Sequence, residues 1–417
     1  MNAPAPASAT PRGLLLAMLL LVYIFNFLDR QILSILAQAV KADLRLDDGQ
    51  LGMLGGFAFA LLYSTLAIPL AMLADRTSRS WVIAVSLGVW SAFTALCGAA
   101  SNFTQMFLFR LGVGVGEAGG VAPSYALIGD AYPPERRSRA LSIYSLGIPL
   151  GSAGGALLGG YIAKNVEWRT AFIVVGLIGL ALAIPFKLIV RDPPRSAPSA
   201  EKVPLWQVFG ILAAKPSFWL LSFGAAAGSM CGYGVAFWLP SMMMRSFALD
   251  VAQVGQFFGA LLLTGGVAGI LLGGWLGDRL GRRDRKWYAL APAICYVLGT
   301  PLFVLGVLSH SWQAAFALFL MPQALVYVWL GPVLTAVQHL VPAGLRATAS
   351  ASFLLINNLI GLGLGSWAVG LLSKHWTPAY GAADALRYAI AAALCLYLVA
   401  GALMFVASRT LSRDWTE

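Results

Sequence analysis

Apolar residues in this chain come in long blocks, each closed by charge or proline. Blocks of about 20 residues or more are long enough to cross a bilayer as helices. Twelve such blocks are predicted as helices near residues 13–41, 49–74, 80–100, 103–131, 140–163, 168–190, 216–246, 251–277, 286–308, 311–339, 344–373 and 384–408. The connections are short, with one exception, Arg191–Lys215 (RDPPRSAPSAEKVPLWQVFGILAAK). Its first part is Pro/Ser-rich and charged, which reads as a linker, and Leu205–Ala214 reads as a short interfacial helix. The first block runs through Asp29 and Arg30 to about Val40, too long for a signal-peptide core, so it counts as a retained span. The expected organisation is a disordered tail (1–12), a six-helix bundle (13–190), the linker (191–215), a second six-helix bundle (216–408) and a short tail (409–417).

The chain also repeats itself. AMLADRTSR (Ala71–Arg79) follows the second block and GWLGDRLGRR (Gly274–Arg283) follows the eighth, close to half a chain later. YPPERRSRA (Tyr132–Ala140) after the fourth block is echoed by LVPAGLRA (Leu340–Ala347) after the tenth. Parallel repeats of six helices joined by a linker are an architecture of rocking transporters.

Composition agrees with a membrane protein: 59% of residues are hydrophobic and 11% charged, against about 25% charged in soluble proteins. The mean hydropathy is +0.78. A net charge of +11 invites a nucleic-acid reading, but the basic residues lie in short loops between apolar blocks, where they set topology. Of the 28 Lys and Arg, nineteen fall on the side that holds both termini and the linker, seven on the other, and two, Arg30 and Arg110, inside blocks. The termini side is therefore expected to be cytoplasmic, and the chain to be a multi-pass protein of the cell membrane. The four cysteines (Cys97, Cys231, Cys295, Cys395) lie in apolar blocks without a CxxC and read as small core residues.

Two copies of a G-x-L-x-D-R-x-G-R-R pattern, after helices 2 and 8, are similar to the signature of the major facilitator superfamily. The first copy departs from it at Ala71, Ser78 and Ser80. The fourth helix carries the R-x-x-x-G of that family, and the fifth, GIPLGSAGGALLGG, resembles the Gly/Pro-rich helix of its exporters. NFLDRQ in helix 1 and GVGEAGGVAPSYALIGDAYPPERRSRALSIYSLGIPLG across helices 4 and 5 resemble the Spinster-like branch. The resemblance implies a twelve-helix facilitator fold and proton-linked movement of lysophospholipids or sphingosine-1-phosphate. It also implies that Asp75, Arg76 and Arg79, with Asp278, Arg279 and Arg282, form a latch at the cytoplasmic mouth.

Charges in mid-membrane are costly and mark function. There are four: Asp29, Arg30, Arg110 and Glu117. Arg110 and Glu117 are two helical turns apart on one face. From the inner membrane end, Arg30 lies about 25 Å along helix 1 and Glu117 about 21 Å along helix 4, so the two are level. Tyr23, Asn26 and Ser34 share the face of Arg30 and predict a watered wall. Asp29 points about 100° away, with Arg110 as its expected partner. The second half offers no such charge, only polar and aromatic positions such as Tyr327 and Asn357.

Together these predict a carrier of an amphipathic anion. Arg30, Asn26, Tyr23, Tyr327 and Asn357 would bind substrate, and Glu117, Asp29 and Arg110 would couple protons. A small organic anion or drug is the alternative cargo, and a receptor or scaffold the alternative class. No enzyme motif such as HExxH or GxSxG is present, and Gly112, Gly114 and Gly116 lie within a membrane helix, not in a nucleotide-binding loop. No cofactor, metal or nucleic acid is expected, and the chain is expected to act as a monomer in the bilayer. Glycines at four-residue spacing (Gly151, Gly155, Gly159; Gly265, Gly269, Gly273, Gly277; Gly361, Gly365) are expected at close helix contacts.

Overall fold

The computed structural model describes residues 10–193, 210–281, 283–342 and 345–416. Among them there are α-helices and short π-turns but no strands. Helices α1 (Arg12–Asp43), α2 (Asp48–Arg76), α3 (Arg79–Gly98), α5 (Arg139–Asn165) and α6 (Trp168–Ile189) cross as long apolar segments. Between them, α4 is made of two pieces, Phe103–Glu117 and Val121–Ala131. Helices α7 (Pro216–Phe247), α8 (Val251–Gly281), α9 (Trp287–Leu308) and α10 (Trp312–Gln338) follow. The last two crossings share one helical stretch, Thr348–Asp414. It turns back at Gly381, whose φ of 78° suits glycine. The part before Gly381 is α11 and the part after it α12. The ten-residue loop expected between them is thus helix up to a single reversing residue. Only 210–214 of the expected interfacial helix are described, and 210–213 are helical.

Glycine lets the helices approach backbone to backbone. A Cβ at Gly155 would sit 2.5 Å from Leu28 O, which docks α5 on α1, and one at Gly365 would overlap Met230 O, docking α11 on α7. A Cβ at Gly114 would overlap Phe59 O (α4 on α2), and one at Gly273 would lie 2.7 Å from Val328 O (α8 on α10). Each contact in the first half thus has its counterpart in the second, as a parallel repeat requires.

The halves meet along two seams built the same way. Cβ atoms at Gly52 and Gly370 would overlap Ser366 O and Asp48 O between α2 and α11. At Gly255 one would overlap Ala156 O, and at Gly160 one would lie 2.7 Å from Val251 O, between α8 and α5. Both seams lie at the end opposite the chain termini. Their helices begin with the same device: Asp47 and Gln50, and again Asp250 and Gln253, form reciprocal capping boxes ahead of Gly52 and Gly255.

Polar bonds lock this far end. Asp48, 3% exposed, accepts from Lys41 (2.5 Å), from both terminal nitrogens of Arg245 (2.7 Å each) and from Ser373 (2.7 Å). Lys374–Asp47 (3.0 Å) and Lys164–Asp250 (2.9 Å) also cross between halves. On α1, Ser34 donates to the carbonyls of Phe237 (2.9 Å) and Ala236 (3.1 Å) of α7. Pro240 has no N–H to bond Ala236 O, so Ser34 supplies the missing donor. One turn further, Gln38 donates to Ser241 (2.8 Å) and accepts from Arg245 (3.0 Å).

Candidate functional site

Between the halves lies a cavity of about 1300 Å³, its open mouth included. The first half contributes Arg30, Gln31, Ser34 and Arg110 to its lining, with Phe27 and Phe59. The second half contributes mostly aromatic and aliphatic groups, among them Tyr233, Phe258, Phe303, Tyr327, Trp329 and Tyr397, with Ser229 and Gln323 as polar exceptions. Two π-turns, Leu262–Gly266 in α8 and Asn358–Leu362 in α11, begin or end at lining residues Leu262 and Leu362. Such turns recur at functional sites because they re-aim side chains locally.

Arg30 and Glu117 are level in space, as their positions along the helices predict. Arg30 Nε donates to Glu117 Oε2 at 2.7 Å. The acid is fully buried and the arginine side chain 13% exposed, so the pair has one face to the protein and one to the cavity. The guanidinium carbon also lies 4.6 Å from the ring centre of Phe59, 4.7 Å from Tyr63 and 5.0 Å from Phe27. Three rings around a cation offset part of its desolvation cost. Glu117 ends the first piece of α4, and its position is fixed by the glycine run before it. Gly112 fits against the Phe93 ring, Gly114 against Phe59 O and Gly116 against the Trp90 backbone, each leaving no room for a Cβ. That is why the glycine run stands in this helix.

The expected pairing of Asp29 with Arg110 is not made. Both Asp29 oxygens and the Nε and Nη1 of Arg110 are buried without a hydrogen-bond partner. Asp29 faces a small recess with Trp90, Ser91, Thr94, Val175 and Gly176, while Arg110 lines the main cavity. Three of the residues expected to contact substrate are also elsewhere. Tyr23 stacks on Tyr144 (centroids 4.3 Å apart) beside Gly147, and Asn26 is 2% exposed. They share the helical face of Arg30, but there α1 is covered by the start of α5. Asn357 accepts from Ser229 (2.8 Å) and donates to Asn358 (3.2 Å), holding the π-turn of α11. Tyr327 and Arg30 do line the cavity.

At the termini end, Asp75, Arg76, Asp278 and Arg279 are exposed, and Arg282 lies outside the described residues. Arg79 bonds Asp130 and, at 3.3 Å, Asp75, all within the first half. Three residues of this cluster, Asp130, Asp192 and Lys187, were not singled out from the amino-acid order. Asp192 accepts from the amides of Arg79 (2.8 Å) and Ser80 (2.9 Å), and Lys187 donates to Ser80 (2.7 Å). Asn102, which begins a glycosylation-like triplet, caps α4 by accepting from the Gln105 amide (3.0 Å). Three of the cysteines are buried and Cys395 is exposed, all as free thiols.

Residues 19–366 match the profile of the Major Facilitator Superfamily. The chain belongs to this superfamily. It is 34% identical over 401 residues to the MFS-type efflux pump of Mycolicibacterium smegmatis (strain ATCC 700084 / mc(2)155), covering 96% of this chain and 93% of the pump. To Protein spinster of Drosophila melanogaster it is 28% identical, over 85% of this chain and 60% of the fly protein. The crystal structure of a bacterial homolog to the human lysosomal transporter Spinster, inward-facing and occupied, superposes with a TM-score of 0.88 at 29% identity. That match covers 99% of this chain and 100% of the other. The chain is therefore a Spinster-like facilitator, a multi-pass membrane transporter.

Proposed function

We propose that this transporter moves an amphipathic anion, of lysophospholipid or phosphosphingoid type, in exchange or together with protons. The observation that carries the reading is the Arg30–Glu117 pair on the cavity wall, with an aromatic wall opposite. The head group sits on Arg30 and the tail lies against the second half. An anion that takes Arg30 removes the counter-charge of Glu117, and a proton on Glu117 releases Arg30 for the anion. The two ligands are coupled through one arginine, and the coupling is reciprocal. Alternating access follows from opening the far-end seams while the Asp75/Arg76/Arg79 and Asp278/Arg279/Arg282 latch closes the other mouth. The arginine-rich termini face is assigned to the cytoplasm, and the chain to the cell membrane as a monomer.

The test is Glu117→Gln in proteoliposomes. This mimic of the protonated acid should still bind substrate and exchange it, yet lose the response to a pH gradient. Full proton-driven transport by the variant would make Glu117 a structural partner only. A second reading, a carrier of small organic anions or drugs, is supported by the likeness to a pump named for efflux. Mass spectrometry of lipids co-purifying with the protein separates the two.

A further inference from the structure

The last helix of each half closes on the same dipeptide, Arg191-Asp192 just after α6 and Arg413-Asp414 at the end of α12. In each half this region holds the loop next to the latch residues. In the first half Asp192 accepts from the amides of Arg79 and Ser80, which begin α3. In the second half the contact is aromatic. The Trp415 ring stacks on Tyr288 in the first turn of α9 (centroids 5.4 Å apart) and on His339, which caps α10 (4.5 Å). The guanidinium carbon of Arg285, between α8 and α9, lies 5.3 Å from the centre of the same indole. Tyr288 in turn fills the space where a Cβ on Gly281, the last residue of α8, would sit (2.4 Å). Trp415 thus ties the loop that follows Asp278 and Arg279 to the end of α10. The segment that carries it is itself fixed. The Thr416 amide donates to His339 O (2.7 Å), and Asp414 accepts from the Ser217 amide at the start of α7 (3.0 Å). Lys215 Nζ donates to Leu340 O (2.5 Å), Asp414 O (2.7 Å) and Thr416 Oγ1 (2.8 Å). All of these residues belong to the second half, and none lines the cavity.

We infer that Trp415 is a positioning residue for the second half's latch, the aromatic counterpart of Asp192 in the first half. In this structure the far end is locked, while Asp75, Arg76, Asp278 and Arg279 are exposed at the termini end. In an alternating-access cycle the latch engages as the far end opens. Engagement needs the loop after α8 in one conformation, and fixing each of its residues at that moment has an entropy cost. A loop already held by stacked rings has lost that freedom beforehand, so closing the mouth costs less. Without the indole the mouth-closed state loses population, while the cavity and the far-end lock stay as they are. This rests on the latch reading proposed above, not on the identity of the cargo.

The experiment reads the mouth-closed population on the full protein. Ser152→Cys puts a thiol on the cavity wall, with the exposed Cys395 replaced beforehand. A membrane-impermeant maleimide outside sealed proteoliposomes of mixed orientation labels it in two phases. Molecules that present their termini end react fast through the open mouth. Those that present the far end react slowly, only while that end is open and the mouth is closed. Trp415→Ala removes two stacked pairs and a cation–π contact, so it should slow the second phase at least about fivefold and leave the first unchanged. Trp415→Phe, which keeps a ring in place, should slow it less than about twofold. Lys215→Met frees the tail without touching the rings; it should slow the second phase as well, and serves if Trp415→Ala does not fold. Asp278→Asn tests the latch itself and should slow the same phase. An unchanged slow phase in Trp415→Ala and Lys215→Met, with a slowed one in Asp278→Asn, overturns the role of Trp415 and leaves the latch standing. Both phases slowed alike in Trp415→Ala also overturn it, because Trp415 would then hold the fold and not the loop. No effect of Asp278→Asn brings down the latch reading, and a wild type without a slow phase brings down alternating access; the role of Trp415 falls with either.

Discussion

Asp48→Asn should open the far end of the transporter. The carboxylate is the hub of the lock there. Lys41 belongs to its own half, but the two bonds from Arg245 and the one from Ser373 come from the other. Those three exist only while the seams are closed. Bonds involving a charged group net about 1.5–3 kcal/mol each, and breaking a buried pair costs about 3–5 kcal/mol. Asparagine keeps one acceptor, and Arg245 keeps its 3.0 Å bond to Gln38, so the lower part of that range applies: about 2–4 kcal/mol against the closed state. Once the end opens, the same groups are hydrated and the substitution is close to neutral. The closed-to-open ratio should therefore fall by a factor of between about thirty and several hundred. Spin labels at Val166 and Tyr380, exposed positions at the far ends of α5 and α11, report it as a new long-distance population, with the exposed native thiol Cys395 replaced beforehand. Arg245→Gln should give the same shift, and the double variant little more, because the two residues act as one contact. Distances identical to wild type in Asp48→Asn would refute the claim that this hub holds the seam.

Three further outcomes follow from the geometry. Arg30→Ala should abolish ligand binding and, by leaving Glu117 buried without its partner, lower stability by about 3–5 kcal/mol; Arg30→Lys should only weaken binding, and calorimetry with thermal unfolding reads both. Gly255→Leu drives a side chain into Ala156 O, so it should cost about 1–3 kcal/mol in the closed state, seen as increased labelling of a cysteine introduced at the α5–α8 seam. Asp192, outside the membrane spans, is pushed up by partial burial but held below the usual carboxylate range by hydrogen bonds from Ser80 and the Arg79 amide. Its stabilisation is present above the ordinary Asp value of about 3.9 and is lost as pH falls through the lowered one. Asp192→Ala should cost about 1 kcal/mol, as for a lost helix cap, and flatten that acid-side loss in a thermal-melt series.

Much of this was legible in the amino-acid order. Block lengths gave the crossings, the Asp-Arg repeats gave the two halves, and residue counting along α1 and α4 put Arg30 level with Glu117. Phase on one helix does not say what covers it, however. Tyr23 and Asn26 lie on the Arg30 face, yet Gly147 and Gly151 bring α5 over that stretch of α1. The direction of Asp29 away from Arg30 was legible, but the same limit hid its surroundings, a recess formed by α3 and α6 in place of the expected Arg110. The far-end lock did have a signal that was missed. Leu46-Asp47-Asp48-Gly49-Gln50-Leu51-Gly52 recurs as Leu249-Asp250-Val251-Ala252-Gln253-Val254-Gly255. The shared Asp, Gln and Gly make the caps and the seams, and the one position that differs in charge is Asp48, opposite Val251. Its partner Arg245 lies on α7, and no spacing rule reaches across the halves to find it.

The separation of the two cavity walls bears on how such a carrier diverges. All four mid-span charges sit on α1 and α4, and the aromatic wall is supplied by α7, α8, α9, α10 and α12. Selection can therefore exchange Tyr233, Phe258, Phe303 or Tyr397 for other apolar shapes without touching the Arg30–Glu117 pair. The apolar wall and the buried ion pair are thus carried by different halves of the molecule. The shape of the apolar wall and the ionic wall can therefore be altered by separate substitutions, each testable without the other.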